Sequence, residues 1–138
     1  MGVMRSPTFR SVLIAAGILF VAGGLACQSP DAAVLATAMK AKMKLPLQVD
    51  DDTRLDDVRA TAKKELGYFL TLTRMTKAQV DSNPAFSELL ETKLRGSACK
   101  NPNYQQIFKA GLGVRITYAS SDQVEVRRIA LAPKDCGF

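Results

Sequence analysis

Residues 11–26, SVLIAAGILFVAGGLA, hold no charged side chain and stop at Cys27. This run sets how much of the chain is left to fold. Ahead of it, MGVMRSPTFR carries Arg5 and Arg10 and no acid. A basic start, an apolar core shorter than the roughly 20 residues of a spanning helix, and a small-residue end describe a secretory signal peptide over residues 1–26. An uncleaved membrane anchor is the competing explanation. Removing 26 residues from 138 leaves 112, enough for one domain with a modest core, residues 27–138. Arg5 and Arg10 leave with the signal, so the net charge falls from +6 to +4. The remaining charges are scattered, which describes a solvated surface and not a nucleic-acid face.

Cleavage after Ala26 satisfies two processing patterns. Gly24 and Ala26 give the small-x-small site of an ordinary signal peptidase. GLAC also resembles the bacterial lipobox, with Gly24 where that motif usually has leucine. Lipidation of Cys27 would account for an odd count, because the chain has three cysteines. Cys99 and Cys136 then pair with each other, as an oxidising compartment allows. Their bridge closes a loop of about 38 residues, worth roughly 4 kcal/mol in the chain-entropy model.

The mature chain reads as α+β. SPDAAVLATAMKAKMKL opens like a helix, with Ser29 as cap, Pro30 at the first position and Asp31 against the helix dipole. Leu35, Met39 and Met43 form its apolar stripe, widened by Ala32 and Ala36. Pro46 ends it. Leu45, Leu47 and Val49 alternate as a short strand. TRLDDVRATA fits a helix or an edge strand with Val58 inward, and the strand is preferred because GYFLTLT plainly alternates after it. AKKE is then a hairpin connection. The acids at Asp50–Asp52, Asp56 and Asp57 lack the glycine and closing glutamate of a calcium loop and read as a solvated turn.

Two capped helices follow. Asn83 and Pro84 start one, with Phe86, Leu89, Leu90 and Leu94 inward and Gly96 as its stop. Asn101 and Pro102 start the next, with Tyr104, Ile107 and Phe108 inward and Gly111 as its stop. GVRITYASSDQVEVRRIALA is a second hairpin. Val124 and Val126 are out of phase with Ile129 and Leu131, so a bulge is expected near Arg127–Arg128. The expected architecture is an N-terminal helix packed on an antiparallel sheet of two hairpins, with two short helices between them.

The chain has no histidine, which removes Ser–His–Asp and Cys–His catalysis and most zinc sites. It has no tryptophan for stacking sugars. Glu65, Glu88 and Glu91 are the candidate carboxylates for glycoside chemistry, but Glu88 and Glu91 fall on a polar helix face. GLG at 111–113 lacks the rest of a phosphate loop. No catalytic, cofactor-binding or metal-binding residue is therefore assigned.

CKNPNYQQIFKAGLGVRITY is the most distinctive stretch. Cys99, Asn101, Tyr104, Ile107 or Phe108, Gly111 and Tyr118, with Cys136 near the end, resemble the small exported pseudomonad proteins classed as quorum-sensing-regulated virulence factors. The resemblance covers about 40 residues. It implies an exported, disulfide-bonded α+β protein with no assigned enzymatic activity, and it supplies no catalytic residues. Cys27 departs from it, since members need not be anchored.

The expected function is that of a non-catalytic lipoprotein of a Gram-negative bacterium. It would be held through Cys27 at the periplasmic face of the outer membrane and assist another envelope protein. Gln28 after Cys27 resembles outer-membrane sorting. A soluble secreted or periplasmic factor without the lipid, and a small hydrolase with an unusual site, are the alternatives.

Overall fold

Asp31 opens the first helix. Its side chain accepts the Ala33 N–H at 2.9 Å, and α1 runs Ala32–Lys42. The computed structural model describes residues 31–138. The expected signal peptide, Cys27, and the cap and first position assigned to Ser29 and Pro30 lie outside those residues, so the cap seen here is Asp31. Ala32 and Ala36 are the buried residues of α1, and their small side chains let the helix lie close on the sheet. Lys40 reaches Asp57 at 2.7 Å and pins the helix to the second strand.

The strands are β1 (Leu47–Gln48), β2 (Thr53–Ala62), β3 (Glu65–Leu72), β4 (Gly113–Ala119) and β5 (Glu125–Leu131). They lie side by side in chain order. Between the two hairpins come α2 (Lys77–Asp81), α3 (Pro84–Ala98) and α4 (Pro102–Lys109), and a 3₁₀ turn, Pro133–Cys136, follows β5. The α+β architecture is the one expected, with the N-terminal helix on the sheet. Three helices stand where two were expected, because Thr76 caps an extra turn ahead of Asn83, and the sheet is mixed where an antiparallel one was expected. Pairing is antiparallel within each hairpin. Between the hairpins, β3 and β4 run parallel. A parallel neighbour needs a crossover, and the three helices provide it.

One face of the sheet makes the core. Val58, Tyr68, Ile116 and Ile129 form a row across four strands, and Leu66, Val114 and Leu131 form the next. All seven are buried, as are Phe108 and Leu112. The other face is polar. Arg59 stacks on Phe69 at 3.8 Å, Arg115 pairs with Glu65 at 2.9 Å, and Asp56 accepts from the Thr71 hydroxyl and pairs with Arg54.

Three local expectations change. The pairing of β2 shifts between Leu55 and Asp57, so Leu55 and Val58 both point inward although three residues apart. This bulge is why the segment alternates poorly. In β5 the irregularity lies opposite Tyr118 and Ala119, around Val126, earlier than expected. Val124 stands before the strand and is exposed. Finally, α3 packs along α2 and β5 and buries only Ala98 fully. Leu89, expected inward, is 51% exposed, and Gly96 lies within the helix, which is capped at Cys99.

Candidate functional site

A groove of about 460 Å³ runs between α1 and α4, with the sheet as its floor. Helical spacing builds one wall. Leu35, Ala38, Met39 and Lys42 of α1, with Met43 just past its end, fall at i, i+3, i+4, i+7 and i+8 and line one side. The opposite wall is Asn103, Tyr104, Gln106, Ile107 and Ala110 of α4, with Asn101 at its mouth. Asn101 caps that helix by accepting the Asn103 N–H at 2.9 Å, and Pro102 occupies its first turn. Gly111, at φ +79°, ends the helix in the left-handed region, where glycine carries no steric penalty.

Tyr68 rises from β3 to form the floor. Its hydroxyl donates to the Met39 sulfur at 3.9 Å. The Tyr104 ring meets it edge-on, with centroids 5.6 Å apart and planes at 76°. Burial pushes both phenols above their usual range, Tyr68 most strongly. They are neutral hydroxyl groups at ordinary pH. Lys42 is the one charged side chain in the lining, and no carboxylate, cysteine or histidine joins it. Lys42, Tyr68 and Tyr104 are the ionisable side chains of a lining that is otherwise apolar or amide, and such a groove can hold an apolar segment. Methionine pairs such as Met39 and Met43 adapt to irregular surfaces.

The disulfide stands at the head of this groove. Cys99 and Cys136 are bonded, with Cα atoms 5.2 Å apart. Gln105 of α4 donates to the Cys99 carbonyl at 2.8 Å. At the far end of α4, Phe138 stacks on Phe108 with centroids 6.1 Å apart. Residues 133–138 therefore strap α4 at both ends.

The candidate carboxylates do not converge. Glu65 pairs with Arg115 on the polar sheet face and accepts from the Thr61 hydroxyl at 2.7 Å. Glu91 bridges Arg127 and Arg95, and the Arg127 guanidinium, with Arg95 beside it, holds its carboxyl below the usual range. Glu88 is exposed. Among the described residues, no group of three or more His, Cys, Asp or Glu is placed to hold a metal. Cys27 lies outside the described residues.

The sequence spacing predicts core roles for Met39, Met43, Tyr104 and Ile107 and a capping role for Asn101. Those roles are present, and the same residues also line a groove. It arises because two helices distant in sequence face each other, which no single stretch records.

The chain thus belongs, by architecture, among small α+β folds with helices on one sheet face. No protein-family model matches it, and no curated protein matches it. Three solved structures share the fold. One is a Pseudomonas aeruginosa protein described as secreted: TM-score 0.60, 15% identity, 76% of this chain and 92% of that one covered. Another is EpsS, the pilotin of the Vibrio vulnificus type 2 secretion system: TM-score 0.57, 17% identity, 78% and 89% covered. The third is AspS, the type II secretion system pilotin of Vibrio cholerae: TM-score 0.54, 16% identity, 76% and 88% covered.

Proposed function

We propose that this chain is an exported, lipid-anchored accessory protein of the Gram-negative envelope, working by binding and not by catalysis. Its groove would hold an amphipathic segment of an envelope protein. The groove carries the proposal: its lining is mostly apolar, with a few polar groups at its edges, and brings no pair of carboxylates or thiols together. The occupant that fits it presents apolar anchors toward Leu35, Met39 and Ile107 and an acidic side chain toward Lys42, the lining's one charge. Fold likeness to two type II secretion pilotins supports an accessory role in a secretion system. Fold likeness to a pseudomonad protein described as secreted, and the resemblance around Cys99–Tyr118, support export. Cys27 is the proposed lipid site, and two acyl chains there would give stable anchoring.

Two experiments test this. Cells are labelled with a fatty acid and the wild-type chain is compared with Cys27→Ser. Label on wild type alone supports the anchor, and no label on either removes it. A photoreactive side chain at Ala38 is then compared with one at Arg128 on the polar sheet face. The groove position should give a discrete protein adduct that Met39→Glu abolishes. No adduct at Ala38, or an equal one at Arg128, refutes the groove as the binding site.

A further inference from the structure

Four lysines gather at one end of the sheet, and none of them lines the groove. Lys63 and Lys64 form the β2–β3 turn. Ala32, the first residue of α1, donates to the Lys63 carbonyl at 3.2 Å, and Gly113, which opens β4, donates to the Lys64 carbonyl at 2.8 Å. Leu131, opposite Val114, brings the end of β5 to the same place, and Lys134 follows in the 3₁₀ turn. Lys109 closes α4 and lies over the Phe138 ring at 5.9 Å. All four are exposed, and none forms an ion pair among the described residues.

The nearby carboxylates are already engaged. Asp31 caps α1, Asp135 accepts the Ala132 N–H at 2.8 Å, and Glu65 pairs with Arg115. At the opposite end of the sheet acids outnumber bases: Asp50, Asp51 and Asp52 lie between β1 and β2 and Asp122 in the β4–β5 turn, while Arg74 is paired with Asp52 and Lys77 with Asp81.

We propose that the lysine end is a docking surface for a bilayer containing anionic phospholipid, and that it stands the protein with its strands directed away from the membrane. The sign of the charge fits phosphate headgroups. The chain also arrives at this end. Cys27 precedes Asp31 by four residues, at most about 14 Å of extended backbone. A lipid on Cys27 therefore brings Lys63 and Lys64, and not the aspartates, to the headgroups. The placement in the cell rests on the proposed anchor, whereas the lysine contact itself can be measured without it.

Residues 27–138 contain every core residue of the described fold. This mature chain is exported on an ordinary signal peptide with Cys27→Ser, so that no lipid is attached. Flotation is then compared on phosphatidylglycerol–phosphatidylethanolamine vesicles and on phosphatidylcholine vesicles. Binding should need phosphatidylglycerol and be reversed by salt. Lys63→Gln should weaken it about fivefold, and adding Lys64→Gln about fivefold again. Asp51→Asn should leave it unchanged or slightly tighter. Equal binding to both vesicles, or binding indifferent to the two lysines, overturns the proposal whether or not Cys27 carries lipid. In the anchored protein, Ala62→Trp gives a single tryptophan beside the turn, since the chain has none of its own. Brominated phospholipid should quench it and spare Val49→Trp at the other end. The reverse pattern overturns the orientation.

Discussion

Removing the Cys99–Cys136 bond tests how this small fold is held together. The partners are 37 residues apart in sequence. Closing a loop of that length in the unfolded chain corresponds to about 4 kcal/mol. Typical domains are stable by about 5–15 kcal/mol, so the bond is a large share of the total. The variant is Cys99→Ala with Cys136→Ala, unfolded by urea beside wild type. The expected loss is about 4 kcal/mol, or a melting temperature lower by roughly 15 °C. Hydrogen exchange then separates two mechanisms. If the bond acts by restricting the unfolded chain, amides of Tyr68 and Ile116 in the central strands lose as much protection as those of α4, because they exchange through global unfolding. A loss below about 1 kcal/mol, or faster exchange confined to α4, refutes the loop-closure reasoning. The bond would then serve only to pin the groove wall.

Other outcomes follow from particular side chains. Phe108→Ala should cost about 3–5 kcal/mol in urea unfolding, because the ring is buried between Tyr104 and Phe138. Leu89→Ser should change stability by less than about 0.5 kcal/mol, since Leu89 is half exposed on α3. Acid should destabilise the fold below about pH 4. Lys40 depresses Asp57, Arg127 and Arg95 depress Glu91, and Ser120 and the Lys77 N–H depress Asp122. Their stabilisation is complete above the unfolded carboxylate pKa and is lost as pH falls through the folded one. Asp57→Asn should flatten the acid limb of a pH–stability curve. Alkali acts on the tyrosines. Burial raises all three phenols, Tyr118 to about 12, so stability should fall as pH rises past about 10, where the unfolded chain begins to ionise. Tyrosinate absorbance should therefore rise together with unfolding. Ionisation near pH 10 without unfolding would show the rings to be accessible.

Local chemistry decided much of this protein in advance. The absence of histidine excluded whole classes of catalysis. Asn83 and Asn101, each followed by proline, placed two helix starts, because capping depends on neighbours within one turn. GYFLTLT declared its inner face through strict alternation, and the fold class followed from the order of helices and strands. What failed locally failed for nonlocal reasons. TRLDDVRATA does not alternate because β2 carries a bulge that only its pairing with β3 reveals. Leu89 has the spacing of a core residue, but among the described residues no element lies over that side of α3 to bury it. The parallel pairing of β3 with β4 depends on a crossover of about 40 residues, which no short window contains. That same crossover sets α4 opposite α1 and opens the groove. It also brings the start of β4 to the Lys63–Lys64 turn, beside the first residue of α1. The sequence by itself determined which segments form and what chemistry they lack. The tertiary structure decided which surfaces meet, because a groove and a charged end are properties of elements brought together across the chain.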